Sequence, residues 1–157
     1  MKICIYGAGA IGGYLGAKLT EIGADVTLIA RGPHYNAIKQ DGLRLRKDGK
    51  ELVVYPKCVD TAEKAGKQDY IFVTLKAHSV PGCLDAFKVL MKDDTSFVWG
   101  VNGIPWWYFY NHPDKNFKDK KVTSVDPNNS QWKDIGPEKI IGCIVNPASE
   151  VIKPGVI

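Results

Sequence analysis

The glycine-rich turn near the start of the chain constrains the fold more than any other feature of the sequence. Gly7, Gly9 and Gly12 have the spacing G-x-G-x-x-G and directly follow an apolar run at residues 3–6. In a dinucleotide site, one such glycine permits the tight turn, one lets the backbone approach the diphosphate, and one lets the following helix pack closely. Residues 13–19 are predicted to form that helix, with its positive N-terminal end toward the diphosphate. The sequence therefore predicts a dinucleotide site made by Gly7, Ala8, Gly9, Ala10, Ile11 and Gly12.

An arginine narrows the choice of dinucleotide. Residues 25–30 are predicted to form the second strand, whose carboxyl end is where an adenine ribose would lie. NAD-specific sites place Asp or Glu there to bind the ribose 2′-hydroxyl, but this chain has Arg31, with no carboxylate close behind it. A guanidinium can bind a 2′-phosphate bidentately. We therefore expect NADP(H), with NADPH favoured over NADH by roughly ten- to a hundredfold.

Predicted strands and helices alternate along the rest of the chain. The strands are residues 69–75, 96–99 and 140–145, and the helices are residues 33–40, 61–67 and 78–91. Residues 43–46 and 51–55 are predicted to form a hairpin at the edge of the sheet, and residues 151–157 a bent hairpin. Strands that alternate with helices form parallel sheets. The expected fold is therefore α/β, a Rossmann-type, doubly wound, mostly parallel sheet with helices on both faces.

Length, charge and hydropathy limit the class of protein. With 157 residues, 45% of them hydrophobic, the chain is expected to form one NADP-binding domain over residues 1–157. The net charge of +4 is modest and the lysines are dispersed, which argues against a nucleic-acid partner. The N-terminus does not resemble a signal peptide, and no apolar stretch approaches the ~20 residues that cross a membrane. We expect a soluble cytoplasmic protein.

The cysteines agree with a reducing compartment. No C-x-x-C spacing occurs among the four of them: Cys4, Cys58, Cys83 and Cys143. Cys4 and Cys143 also fall in predicted apolar strands. We therefore expect buried, reduced thiols, with no disulfide and no metal site.

The sequence becomes strongly aromatic after the predicted strand at residues 96–99. Five aromatic side chains occur within residues 104–110: Trp106, Trp107, Tyr108, Phe109 and Tyr110. They could pack in the core, line a substrate cleft or contact another domain. If they face an absent domain, the chain is expected to self-associate.

The last two residues of the chain are apolar and come just past a turn, and we expect a further segment to follow them. The sequence assigns no ligand role to Asn146 or Glu150.

Several short motifs accompany the glycine-rich turn and Arg31. Thr-Leu-Lys-Ala occupies residues 74–77 at one predicted strand end, and Asn-Gly-Ile-Pro-Trp-Trp occupies residues 102–107 at the next. Asp-Pro, Gly-Pro-Glu and Gly-Cys follow at residues 126–127, 136–138 and 142–143. Together these motifs resemble the ketopantoate reductase (2-dehydropantoate 2-reductase) family. The resemblance covers essentially the whole chain, but only the N-terminal, NADP-binding half of the family's proteins.

This resemblance implies NADPH-dependent reduction of ketopantoate to pantoate, on the route to pantothenate and coenzyme A. It implies that Lys76 contacts the cofactor and that Asn102 contacts both cofactor and substrate. The family's general acid is a lysine of a helical C-terminal domain, which lies beyond Ile157, so no catalytic residue is assigned here. Lys76 could replace that acid only if desolvated, and the histidines are expected at the surface, with His34 and His112 in loops. The chain is expected to be a cofactor-binding half-enzyme, inactive alone.

Two other functions remain open at this point. One is a stand-alone NADP(H)-binding sensor that acts through a partner, although NAD sensors usually keep an acidic residue after the second strand. The other is the cofactor half of a different 2-keto acid reductase, because substrate choice resides largely in the missing part. The expected partners are a small 2-keto acid and a helical C-terminal domain.

Overall fold

The computed structural model describes every residue from Met1 to Ile157. The strands are β1 Lys2–Tyr6, β2 Asp25–Ile29, β3 Leu43–Lys47, β4 Lys50–Val54, β5 Lys57–Val59, β6 Tyr70–Val73, β7 Ser96–Trp99 and β8 Ile140–Gly142. The α-helices are α1 Ala10–Glu21, α2 Gly32–Asp41, α3 Ala62–Ala65, α4 Leu84–Leu90 and α5 Ser130–Asp134.

Six strands form one sheet in the order β5-β2-β1-β6-β7-β8, and every neighbouring pair is parallel. From β1 the chain first winds outward through β2 to β5, then returns to the other side of β1 and continues through β6, β7 and β8. This is the strand order of the doubly wound dinucleotide-binding fold. The expected Rossmann-type architecture is confirmed, and its order reverses between β1 and β6.

The sheet is buried on both faces. Along β1, Ile3 and Ile5 belong to one apolar cluster, and Cys4 and Tyr6 to the other. The first cluster includes side chains from α1, α2 and the β3–β4 hairpin, and the second includes side chains from α3 and α4. A strand covered on both faces reads as a continuous apolar run, which is why residues 3–6 lack alternation.

The β3–β4 hairpin lies elsewhere than expected. It forms a separate two-stranded antiparallel sheet packed against α1, and does not extend an edge of the parallel sheet.

The predicted turn at the chain end is present, and the last residue of the chain pairs with β3. The amide of Ile157 donates to the carbonyl of Arg44 at 2.9 Å, and the amide of Arg46 donates to the carbonyl of Ile157 at 2.8 Å.

The predicted helix over residues 78–91 is regular only in its second half. Two 3₁₀ turns, Ala77–Ser79 and Pro81–Cys83, precede α4. Pro81 has no amide hydrogen to donate to the Ala77 carbonyl, which instead accepts from Val80 at 3.2 Å in the 3₁₀ pattern. The α-helical geometry therefore begins only after Cys83.

Three other element boundaries differ from the expectations. Helix α1 begins at Ala10, three residues early, so Gly12 lies in its first turn. The predicted helix over residues 61–67 ends at Ala65 because Gly66 adopts a left-handed conformation, with φ of +73°. Strand β8 ends at Gly142, opposite the last residue of β7, so residues 143–145 have no neighbouring strand to pair with.

All four cysteines are free thiols. Cys4 and Cys83 are buried, whereas Cys58 and Cys143 are half-buried. The placement of Cys143 in a strand was wrong, because β8 ends one residue before it. Burial raises the pKa of the Cys4 thiol to about 12.

The aromatic segment is divided between core and surface. Trp106 is 2% exposed and makes edge-to-face contacts with Trp99, Trp107 and Trp132. Tyr108, by contrast, is 59% exposed. Core packing therefore accounts for Trp106 but not for the whole segment. No helix in the structure has the length and apolar character needed to span a membrane.

Candidate functional site

A cleft of about 890 Å³ opens at the carboxyl ends of β1, β2 and β6, where the strand order reverses. This is the position at which open α/β sheets bind ligands. Eight of the nine residues predicted for the cofactor line it: Gly7, Ala8, Gly9, Ala10, Ile11, Arg31, Lys76 and Asn102.

Gly7 and Gly9 differ in what a side chain would meet. Gly7 has φ of +102°, and a Cβ there would lie 2.7 Å from Cδ2 of Leu75. A Cβ at Gly9 would have no atom within 4 Å, because Gly9 faces the open cleft. Gly7 is therefore required by the turn itself, whereas at Gly9 the absence of a side chain leaves room for a close approach by a ligand.

Gly12 is the predicted residue that does not line the cleft. It lies buried in the first turn of α1, where a Cβ would be 2.2 Å from the Gly7 carbonyl oxygen and 2.5 Å from Oγ1 of Thr74. These contacts let α1 pack directly against the glycine-rich loop and the end of β6. The third glycine thus serves helix packing, as its position in the motif predicts.

The N-terminus of α1 is electrostatically suited to an anion. Its N-cap is Gly9, which has no side chain to accept from the first amides, and the first turn holds no acidic residue. The first amides of an α-helix have no intrahelical acceptor, and the helix dipole places partial positive charge there. The edge of the cleft formed by Gly9, Ala10 and Ile11 can therefore bind a phosphate group.

Arg31 is exposed at the rim of the cleft, directly before α2. It forms no salt bridge within the chain. The other two arginines are both paired, because Arg44 and Arg46 bond to Glu51 at 3.2 and 2.7 Å. Arg31 is thus the arginine available to an external anion.

Lys76 and Asn102 are exposed and line the cleft on the loops that follow β6 and β7. The Lys76 carbonyl accepts from the amide of Ser79 at 2.9 Å, which starts the first 3₁₀ turn. Asn102 precedes Gly103, whose φ of +107° turns the chain away from the sheet. The Lys76 side chain is not desolvated, which removes the condition under which it could replace the family's general acid.

Two further polar residues bond to the glycine-rich loop, and the sequence analysis assigned neither to the site. Oγ1 of Thr74 donates to the Gly7 carbonyl at 2.8 Å. His34 lies in α2, within the helix predicted over residues 33–40 and not in a loop, and Nε2 of its ring is 2.7 Å from the Ala8 carbonyl. The sequence contains a signal for Thr74, which begins the Thr-Leu-Lys-Ala motif. It contains none for His34, because its partner Ala8 is 26 residues away in sequence.

The floor of the cleft includes Tyr6 and Cys83. Burial, and after it the neighbouring Cys83, raises the pKa of the Tyr6 phenol, so this group is neutral at physiological pH. The Cys83 thiol donates to the carbonyl of Ser79 at 3.3 Å. The floor therefore adds polar but uncharged groups to a cleft whose charge comes from Arg31, Lys76 and the end of α1.

The remaining candidates lie outside the cleft. His78 and His112 do not line it, and neither do Asn146 or Glu150. The His112 ring packs against Phe109 and Phe117, and its Nδ1 accepts from the amide of Asp114 at 3.1 Å. Packing and a local turn thus account for His112.

Solved structures similar to the chain share its fold along nearly its whole length. A putative ketopantoate reductase from Ralstonia solanacearum superposes with a TM-score of 0.90 at 33% identity, covering 99% of this chain and 48% of that one. A ternary structure of D-mandelate dehydrogenase with NADH and anilino(oxo)acetate superposes with a TM-score of 0.76 at 26% identity, covering 99% of this chain and 44% of the other.

Sequence comparisons identify the family. A 2-dehydropantoate 2-reductase from Mesorhizobium japonicum is 46% identical over 158 residues, which cover 100% of this chain and 48% of the relative. The chain thus spans about half the length of this relative. The family model for ketopantoate reductase PanE/ApbA matches residues 3–106. The chain belongs to the ketopantoate reductase PanE/ApbA family.

Proposed function

We propose that this chain is the NADP(H)-binding half of a reductase that converts ketopantoate to pantoate, in the biosynthesis of pantothenate and coenzyme A. The observation that carries the proposal is the unpaired Arg31 at the rim of a cleft whose other edge is the free N-terminus of a helix. The helix end offers free amides and partial positive charge to the diphosphate of NADPH, and Arg31 offers a cation to its 2′-phosphate.

The residues of the cleft suit this cofactor. The backbone of residues 7–11 would hold the diphosphate, Arg31 the 2′-phosphate and Lys76 a further part of the cofactor. NADPH supplies the hydride in such reductions. The Asn102 side chain, exposed in the loop after β7, would donate its amide hydrogens to the cofactor ribose or to oxygen atoms of the substrate.

The chain alone is expected to lack activity. We assign no residue of the cleft as the proton donor for the new alcohol, because Lys76 is exposed on a loop and the Tyr6 phenol is buried in the floor. The second half of the enzyme would supply the proton donor and complete the substrate site. Free thiols throughout the chain fit a cytoplasmic location for the assembled enzyme.

A second candidate is the cofactor half of a reductase for another 2-keto acid. The likeness to D-mandelate dehydrogenase favours it, because that structure holds NADH and anilino(oxo)acetate in the same fold. The two candidates differ in dinucleotide and in substrate, so each can be tested separately. A sensor function would require dinucleotide binding without any keto-acid reduction.

Calorimetric titration of the purified chain with NADPH, and separately with NADH, tests whether the chain binds NADPH as proposed. We expect NADPH to bind at least tenfold more tightly, and equal affinities would contradict the assignment of Arg31. The chain is then mixed with the separately expressed C-terminal half of the Mesorhizobium relative and supplied with ketopantoate and NADPH. Oxidation of NADPH by the mixture, with neither half active alone, supports the half-enzyme proposal, and oxidation by the chain alone would overturn it. Tighter binding of NADH than of NADPH in the titration would favour the second candidate.

We also expect the chain to self-associate through its exposed apolar residues. Ile104 and Tyr108 are 64% and 59% exposed in the segment that follows β7. Exposed apolar groups of this kind are typical of surfaces that contact another protein. Light scattering at high concentration is the measurement, with Ile104→Ser/Tyr108→Ser as the variant expected to be monomeric. A monomeric wild-type chain would exclude this association.

A further inference from the structure

His34 joins the glycine-rich loop to the C-terminal segment of the chain. Its ring is half-buried at the edge of the cleft, in the first turn of α2. Nε2 is 2.7 Å from the carbonyl oxygen of Ala8, and Nδ1 is 3.0 Å from the amide nitrogen of Gly155. Both partners are backbone groups, separated from His34 by 26 and 121 residues of sequence.

The two partners determine the form of the ring. The amide of Gly155 can only donate, so Nδ1 must be unprotonated to accept from it. The carbonyl of Ala8 can only accept, so Nε2 must hold the proton and donate it. His34 is therefore a neutral imidazole with its hydrogen on Nε2, and both of its ring nitrogens are used in bonds within the chain.

The bond to Ala8 has a direct effect on the next amide. The carbonyl of Ala8 and the N–H of Gly9 belong to one peptide unit, and in a trans peptide these groups point in opposite directions. Holding the carbonyl toward His34 therefore directs the N–H of Gly9 away from it. That N–H has no partner within the chain, and Gly9 lines the cleft where a side chain would meet nothing.

The preceding peptide unit is fixed in a similar way. Its carbonyl, of Gly7, accepts from Thr74, and its amide, of Ala8, donates to the carbonyl of Ile29 at 3.1 Å. Bonds within the protein thus occupy both carbonyls of the loop, and neither is left to repel a phosphate. Of these two peptide units, only the one held by His34 leaves its N–H free.

We propose that His34 is a positioning residue for the dinucleotide diphosphate, acting by orienting the Ala8–Gly9 peptide so that the Gly9 N–H donates to a phosphate oxygen. This inference rests on the proposed binding of NADPH in the cleft. The contact with Gly155 holds the ring in place, since Gly155 lies so close to α2 that a Cβ there would be 3.0 Å from Cβ of Ala37.

Two substitutions separate the two bonds. In His34→Gln, the side-chain nitrogen lies three bonds from Cβ, as Nε2 does, so it can still donate to Ala8. In His34→Asn, the side-chain oxygen lies two bonds from Cβ, as Nδ1 does, so it can accept from Gly155 but cannot reach Ala8. We expect His34→Asn to weaken NADPH binding about five- to tenfold, and His34→Gln to remain within about threefold of the wild type.

Adenosine 2′-monophosphate distinguishes positioning from a general structural effect, because it contains the 2′-phosphate but no diphosphate. Its affinity, measured by displacement of NADPH fluorescence, is expected to be the same in both variants and in the wild-type chain. Equal losses for NADPH and adenosine 2′-monophosphate in His34→Asn, or no loss of NADPH affinity, would overturn the inference. Failure of the wild-type chain to bind NADPH would instead overturn the proposed function and this inference with it.

Discussion

The hydroxyl of Thr74 donates a 2.8 Å hydrogen bond to the carbonyl of Gly7, joining the ends of β6 and β1 where the strand order reverses. The same oxygen would lie 2.5 Å from a Cβ at Gly12. One side chain therefore fixes the first turn of the loop and limits the approach of the helix behind it. Residues of two separate strands and one helix thus meet at a single hydroxyl.

Replacement of Thr74 by Val removes this bond while keeping the shape of the side chain. We expect a loss of about 1 kcal/mol in the free energy of unfolding, since the partly buried Gly7 carbonyl loses a donor, together with weaker NADPH binding. Thr20→Val is the matched control, because its hydroxyl donates to the Gly16 carbonyl at 2.7 Å within α1, away from the cleft. Urea unfolding is expected to show the larger loss of stability for Thr74→Val, because the Gly16 carbonyl still accepts from the backbone amide of Thr20 within α1. NADPH titration is expected to show a loss of affinity for Thr74→Val alone. An equal loss of affinity in both would contradict the local role of Thr74.

Arg31→Ser tests the recognition of the 2′-phosphate. Loss of one charge-assisted contact is expected to raise the Kd for NADPH by about ten- to a hundredfold and to change that for NADH by less than about twofold. Arg46→Ser removes an arginine that is paired with Glu51 on the hairpin, and should alter neither Kd. Calorimetry on the wild-type chain, Arg31→Ser and Arg46→Ser measures these Kd values. Unchanged NADPH affinity in Arg31→Ser would make Arg31 a solvent-exposed charge with no ligand.

Gly9→Ala and Gly12→Ala separate ligand approach from packing. At Gly9 a methyl group meets no protein atom, so the free energy of unfolding should stay within about 0.5 kcal/mol of the wild type. NADPH binding should nevertheless weaken about tenfold or more, because the methyl group occupies the space of the phosphate. At Gly12 the methyl group meets backbone and a loss of about 1–3 kcal/mol in stability is expected. Thermal unfolding measures the stability of the two variants, and titration measures their affinity for NADPH. Normal NADPH affinity in Gly9→Ala would contradict a close approach of the phosphate to Gly9.

The raised pKa of Cys4 predicts a loss of stability at alkaline pH. The thiol has its ordinary pKa of 9.0 when unfolded and about 12 when folded, so above pH 9 the unfolded state releases a proton that the folded state retains. The contribution of this residue to stability is complete below pH 9 and declines as the pH rises toward 12, by about 2–3 kcal/mol at pH 11. Cys4→Ala removes the titrating group, and its unfolding free energy should decline less between pH 9 and 11. Parallel curves for the two proteins would contradict the assignment.

The sequence allowed the doubly wound parallel sheet to be expected, because β1, β2, β6 and β7 are short apolar runs separated by helices. Strand β5 was missed, because it has only three residues and only one of them is buried. The grouping of the predicted residues around one cleft could also be expected, since eight of the nine fall at strand ends or in the glycine-rich turn. The role of His34 could not be predicted, because its partners, Ala8 and Gly155, come from distant parts of the sequence. Both partners are backbone groups, which have no sequence signature. The 3₁₀ turns before α4 were missed because an apolar helical pattern outweighed the effect of Pro81 on the hydrogen-bond ladder.

The indole cluster around Trp106 makes the chain its own optical probe. All four tryptophans of the sequence, Trp99, Trp106, Trp107 and Trp132, are linked through ring contacts of 6.0 Å or less. They lie at or after the end of β7, where Trp99 and Trp106 line a small pocket together with Asn102, and none lies near Arg31 in sequence. Intrinsic fluorescence therefore reports on one end of the cleft alone, and a ligand confined to the adenosine end would bind without changing it.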